Sequence, residues 1–267
     1  MSIARMSEAG RLVAVLFAVL IAASLSFLLP DIDLSAGLAD VVVLVTDTAT
    51  WPQLPLLSLV ALTMVVSRPN LTRDRRRQEA LTFVVVLMIV LGGNAALNEF
   101  VVKPAFGIPR PNIQLLAESG ALGPEYPDAE SIYAVGGKEA RRKVLGERLP
   151  FVDTPALTDR VEARWIHETG YSFPSGHTTA AMTLASLLVL LAAGWPAGWR
   201  LLIATVAAPV WAVSVGYSRV LLGVHRPADV VAGTVAGILW GLLAFLAIRR
   251  FVDGAPGGTR PAEPSRG

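Results

Sequence analysis

The chain has 267 residues, 53% of them hydrophobic and 16% charged, with a mean hydropathy of +0.55, too apolar for an ordinary soluble domain of this size. It contains no cysteine, which excludes disulfides, thiolate catalysis and sulfur-ligated metals. A formal net charge of +2 gives no ground for a nucleic-acid partner.

Six charge-free runs punctuate the chain, each close to the ~20 residues a helix needs to cross the hydrocarbon core. The first, Leu12 to Leu29, follows a basic leader containing Arg5 and Arg11. It is longer than the roughly 7–15 residues of a signal-peptide core and runs into Leu-Pro-Asp, so a retained span is expected. The next segment, 30 to 50, holds four aspartates and no basic residue. Within it VVVLV, 41 to 45, is too short to cross and is expected to lie partly buried at the membrane surface. Trp51 to Ser67 and Ala80 to Asn98 are the second and third runs, separated by Arg68, Arg73, Arg75, Arg76 and Arg77.

A hydrophilic insertion, 112 to 168, comes next, and its interspersed charges read as a small folded cap. A helix is expected over 138 to 148, after Gly136-Gly137. Thr154-Pro155 reads as an N-cap with proline at the first helical position, and Leu157, Val161 and Trp165 then recur every four residues, predicting an amphipathic helix to about Glu168. Thr178 to Trp199, Leu201 to Ser218 and Val230 to Ile248 complete the six runs, and the Gly-, Pro- and Arg-rich tail is expected to be disordered. The expectation is an all-α, six-span membrane protein: spans one to three in 1–111, a helical periplasmic insertion in 112–168, spans four to six in 169–253, and a cytoplasmic tail, 254–267. The basic loops at 68 to 79 and 200 and in the tail put both termini in the cytoplasm, so a bacterial inner membrane is the expected location.

Three polar clusters then fall at the outer ends of spans, on one side of the membrane. KPAFGIPRP supplies Lys103 and Arg110, PSGH supplies Ser175, Gly176 and His177, and SRVLLGVHRPAD supplies Arg219, His225 and Asp229. Ionisable groups at a membrane edge are costly unless they serve a function. Lys103, Arg110 and Arg219 are three permanent cations, and arginine donors match phosphate oxygens well. Ser175 and Gly176 open a helix, whose N-terminal N–H groups favour an anion. Together they describe a phosphate cradle. The i, i+4 spacing of His225 and Asp229 lets the carboxylate hold one ring nitrogen and leave the other as a nucleophile, while His177 is free to act as general acid.

Lys-x6-Arg-Pro, Pro-Ser-Gly-His and Ser-Arg-x5-His-x3-Asp resemble the three-part signature of the type 2 phosphatidic acid phosphatase superfamily. The resemblance implies a metal-independent, cofactor-free lipid phosphatase in which His225 attacks phosphorus to give a phosphohistidine. Asp229 would orient it and His177 protonate the leaving group, with Lys103, Arg110, Ser175, Gly176 and Arg219 holding the phosphoryl oxygens. The expected substrate is phosphatidylglycerol phosphate, with undecaprenyl diphosphate, phosphatidate and lysophosphatidate as further anionic lipid substrates. Undecaprenyl-diphosphate hydrolysis or lipid phosphotransfer as the main role, and a transporter using the same charges, are the competing readings. No obligate protein partner is evident.

Other polar residues are read more blandly. His167 is expected to be solvated or at an interface, and Glu99, one turn before Lys103, to pair with it. Lys138, Arg141, Arg142 and Lys143 read as a solvated face, Asn98 and Gly92-Gly93 as helix-packing positions. Arg226 fits either the cradle or a lipid headgroup.

Overall fold

A computed structural model describes residues 8–253 apart from 70, 152–154 and 194. All regular elements among the described residues are helical. Three are long and apolar enough to cross a membrane: α4 (Arg73–Phe106), α10 (Trp199–Leu221) and α11 (Pro227–Asp253). Three apolar helices are shorter: α1 (Glu8–Ser24), extended by a 3-10 turn to Leu28, α3 (Gln53–Val66) and α9 (Gly176–Leu191). Their apolar side chains point both ways. Val65, Phe83, Leu87, Leu184, Leu187 and Ala244 are buried in the bundle, whereas Phe17, Ile21, Leu81, Met88, Ile89, Leu202, Leu239 and Leu246 are exposed on its outside. An apolar exterior of this extent suits lipid rather than water.

The bundle is organised around α9 and α11, its most extensively packed pair. Small residues let them approach: a Cβ at Gly241 would lie 2.8 Å from Ser186 Cβ, and one at Gly233 would lie 2.8 Å from Ser175 O. The close seam brings the start of α9 against the start of α11. Gly92 and Gly93, expected to serve packing, have nothing near their missing side chains; they lie on an open face of α4, and close helix packing falls instead to glycines of α11 and to Gly216 of α10.

Two prolines reshape the long helices. A π turn covers Asn98–Val102 before Pro104, and another covers Ile203–Ala207 before Pro209. A proline inside a helix clashes with the carbonyl four residues earlier, here that of Phe100 or Thr205, and widening the turn relieves the clash. The first π turn immediately precedes Lys103.

The insertion has a core of its own. Helices α5 (Pro111–Glu118), α6 (Ala129–Ala134), α7 (Lys138–Arg148) and α8 (Asp159–His167) bury Ile113, Leu116, Ile132, Leu145, Val161 and Trp165 together with Leu222 and Val224. VVVLV belongs to α2 (Gly37–Asp47), whose Val42 and Val43 close that core while Val41 and Leu44 face outward. Helix α7 has the predicted bounds. Helix α8 starts later than predicted, because its N-cap is Thr158, whose hydroxyl accepts from Val161 N at 3.3 Å. Thr154 and the tail 254–267 lie outside the described residues.

Candidate active site

The third motif is a turn between α10 and α11. Gly223, at φ 65°, reverses the chain, a conformation that glycine adopts without a Cβ penalty. Val224 N and His225 N both donate to Arg219 O at 3.2 Å. Trp165 of the insertion closes the turn from above, its indole N–H donating to Leu222 O at 2.8 Å. Burial, then the guanidinium of Arg110, push the His225 imidazole down to about 3, so it is neutral at neutral pH.

The neutral ring has a defined tautomer. Arg110 Nη1 lies 3.3 Å from His225 Nε2, and a guanidinium only donates, so Nε2 is the acceptor. The proton therefore sits on Nδ1, which faces Asp229 Oδ2 at 3.3 Å. Asp229 Oδ2 is itself held by the Ser172 hydroxyl and by Arg226 N at 2.8 Å. Ser172 Oγ is also 3.4 Å from His225 Nδ1. The result is an oriented imidazole whose Nε2 lone pair accepts from an arginine.

Ser175 N-caps α9, its hydroxyl accepting from Thr178 N at 3.5 Å and also from Thr178 Oγ1 at 2.9 Å, and its backbone N donates to Asp229 O at 3.1 Å. The seam between α9 and α11 thus ties the second motif to the third. Arg110, 3% exposed, reaches in from the first motif. Its Nε donates to Gly170 O at 3.0 Å and its Nη1 to Val224 O at 3.2 Å. Arg219 is fully buried, with Nη1 donating to Thr46 Oγ1 at 2.7 Å. Lys103, Arg110, Gly176 and His177 line one cavity of about 790 Å³, and Arg219, Ser175, His225 and Asp229 lie beneath it. The structure therefore gathers every expected site residue at one end of the bundle, in two tiers.

Glu168 sits between the tiers, a residue that the sequence reading placed only as a helix end. Its carboxylate meets Arg110 Nη1 at 2.8 Å, binds Arg219 Nη2, and lies 3.9 Å from His177 Nε2. Burial works to raise its pKa, but Arg110 and Arg219 outweigh it and hold the carboxyl well below the usual carboxylate range. The available signal was that Glu168 is the one charged residue between the insertion helix and PSGH.

Four other expectations change or sharpen. Arg226 donates to Pro109 O and Gln114 Oε1, both at 2.8 Å, so it ties the third-motif turn to the first-motif loop. Arg141 is buried, its guanidinium 4.5 Å over the Tyr133 ring, and is no solvated charge. Lys138 pairs with Glu99 at 2.5 Å, the same carboxylate that lies 3.7 Å from Lys103 Nζ. His167 is exposed beside Arg142, as expected of a solvated residue.

The PAP2 superfamily model matches residues 79–253, which hold all three motifs. The chain belongs to this superfamily. It is 45% identical over 84 residues to phosphatidylglycerophosphatase B of Escherichia coli, covering 32% of this chain and 31% of that protein. It is 30% identical over 156 residues to phosphatidylglycerophosphatase B of Haemophilus influenzae, covering 55% and 58%, and 42% identical over 81 residues to an undecaprenyl-diphosphatase of Sulfolobus acidocaldarius, covering 30% and 34%. These matches span about a third to three fifths of the relatives' lengths.

Proposed function

We propose that this PAP2 protein is a six-span inner-membrane enzyme that hydrolyses phosphatidylglycerol phosphate to phosphatidylglycerol and inorganic phosphate at the periplasmic face. The observation that carries the lipid assignment is a second cavity of about 790 Å³ between α3 and α4. It is walled by Leu54, Leu62, Leu87 and Leu91, and it shares Lys103, Glu99 and Gly176 with the polar cavity. An acyl chain can thus remain in an apolar groove at bilayer depth while its phosphate reaches the cations. The basic residues at the opposite end of the bundle, including Arg68 and Arg75 around Glu79, support a cytoplasmic position for that end.

In the proposed reaction Lys103, Arg110, Arg219, the Gly176 N–H and the Ser175 hydroxyl bind the phosphoryl oxygens. They stabilise the charge that spreads over those oxygens in the transition state. His225 Nε2 attacks phosphorus, the P–O bond to the lipid breaks, and His177 gives its proton to the leaving oxygen. Water, deprotonated by His177, then attacks the phosphohistidine, releasing phosphate and restoring both histidines. Asp229 keeps the proton on Nδ1 and offsets the positive charge that His225 acquires.

Undecaprenyl diphosphate is the second substrate reading, favoured by the likeness to the archaeal undecaprenyl-diphosphatase. Both readings are tested by inorganic phosphate release from purified protein across phosphatidylglycerol phosphate, undecaprenyl diphosphate, phosphatidate and lysophosphatidate. Stoichiometric phosphate that is absent with His225→Ala supports hydrolysis. Transfer of the phosphoryl group to another lipid, or hydrolysis that persists in His225→Ala, contradicts it.

A further inference from the structure

Glu168 bridges two of the cations to which the proposed reaction assigns the phosphoryl oxygens. It is 6% exposed, and its two oxygens meet Arg110 and Arg219, one on each. Yet it satisfies the site incompletely. Arg219 Nε, an obligate donor, is buried and has no hydrogen-bond partner among the described residues. Buried donors left unpaired are costly, so this cradle is built for an anion with more oxygens than a carboxylate has.

A phosphomonoester has three such oxygens and close to two negative charges at neutral pH. A phosphodiester has two free oxygens and one charge, the same count as Glu168. An incoming diester would therefore exchange one singly charged, two-oxygen anion for another, and the tethered carboxylate competes at high effective concentration. A monoester gains a third oxygen and a second charge. This difference matters at headgroup depth, where diester phospholipids would otherwise saturate an open arginine pair.

We propose that Glu168 is a selectivity residue, an internal anion that keeps phosphodiesters out of the arginine cradle and yields it to phosphomonoesters. The proposal rests on the phosphatase reading above. The backbone at this point is pinned, with Glu168 N donating to Arg164 O at 3.0 Å and Thr169 Oγ1 to Lys138 O at 3.1 Å. Glu168 therefore leaves by side-chain rotation. Arg164, whose Nη2 pairs with Asp47 while its Nη1 faces the outer cavity 3.8 Å from Glu168 Oε1, is the cation that receives it.

The test measures phosphate release from phosphatidate in detergent micelles while the mole fraction of phosphatidylglycerol, a diester, is raised. In Glu168→Gln the phosphatidylglycerol fraction giving half inhibition should fall by roughly tenfold, the equivalent of one charge's worth of competition. Equal inhibition in variant and wild type would overturn the proposal, as would loss of turnover with unchanged diester sensitivity, which would make Glu168 catalytic. Arg164→Gln keeps Glu168 but removes its alternative partner, so KM for phosphatidate should rise severalfold with kcat retained; an unchanged KM would contradict the exchange. Inorganic phosphate binding, measured by calorimetry without turnover, should be tighter in Glu168→Gln than in wild type, and equal affinity again counts against it. Wild-type protein that releases no phosphate from any lipid monoester would instead remove the phosphatase reading, whatever the calorimetry shows.

Discussion

The two histidines of the site occupy opposite surroundings. His225, 2% exposed, is held at both ring nitrogens, at Nδ1 by Asp229 at 3.3 Å and at Nε2 by Arg110 at 3.3 Å. His177 has a buried Nε2 without a hydrogen-bond partner among the described residues, where the Glu168 carboxylate is 3.9 Å from it. A nucleophile must have its tautomer and direction set before the substrate arrives, so its partners belong to the protein. A general acid that protonates a leaving oxygen finds its partner in the substrate. The open nitrogen of His177 and the locked ring of His225 fit those two roles.

The strongest way to break this comparison is His225→Ala. Removing a nucleophile leaves only binding and electrostatic effects, and the expected loss of phosphate release is at least roughly 10⁴-fold. Wild-type enzyme quenched in alkaline detergent should carry base-stable, acid-labile label from substrate bearing a radioactive terminal phosphate, and the variant should carry none. Asp229→Asn should come close behind, at about 10³- to 10⁴-fold in kcat, because an amide no longer enforces the Nδ1–H tautomer. A loss under tenfold would mean that the ring is oriented by Ser172 and Arg110 alone.

His177→Ala sharpens the contrast, because its effect should depend on the leaving group. With a lipid alcohol, a poor leaving group, the loss should be roughly 10²- to 10⁴-fold. With p-nitrophenyl phosphate, whose phenolate needs little protonation, most of the loss should vanish. Equal losses on both substrates would remove His177 from the acid role. The pH profile gives a second measure. Burial and Arg110 hold His225 far below the ordinary imidazole value, so as pH falls the base stays unprotonated until well under about 6.5. The acid limb of kcat/KM should therefore lie below the imidazole range, and a limb near 6.5 would point to another titrating group.

The sequence made the motifs legible because their chemistry is local. An i, i+4 His-Asp pair and a Ser N-cap are set by helix geometry alone. The helix 138 to 148 was likewise readable from its glycine break. What the sequence did not disclose depends on contacts far along the chain. Arg226 is defined by Pro109 and Gln114, more than a hundred residues away. Arg141 reads as one more charge in a basic run until Tyr133 stacks under it. Glu168 looks like the end of an amphipathic helix until Arg110 and Arg219 close on it from two other motifs. The cap of α8 is Thr158, and two threonines four residues apart in the sequence offer the same local signal.

The smallest expected effect belongs to Arg226, and it probes how the locked half of the comparison is held. Its guanidinium bridges to Pro109 O and Gln114 Oε1, while its backbone N–H donates to Asp229 Oδ2. Arg226→Gln removes the bridge and leaves the backbone bond intact. The His225–Asp229 pair then keeps its internal contacts, but the loop carrying Arg110 loses a tie to the turn carrying His225. Two hydrogen bonds to a charged group, partly exposed, correspond to about 1–3 kcal/mol, so the melting temperature should fall by a few degrees. Activity should drop only severalfold, mainly in KM, because Arg110 remains anchored by Gly170 O and Val224 O. A loss as large as that of Asp229→Asn would mean that the tautomer itself depends on Arg226, and that the locked geometry extends from the third motif across to the first.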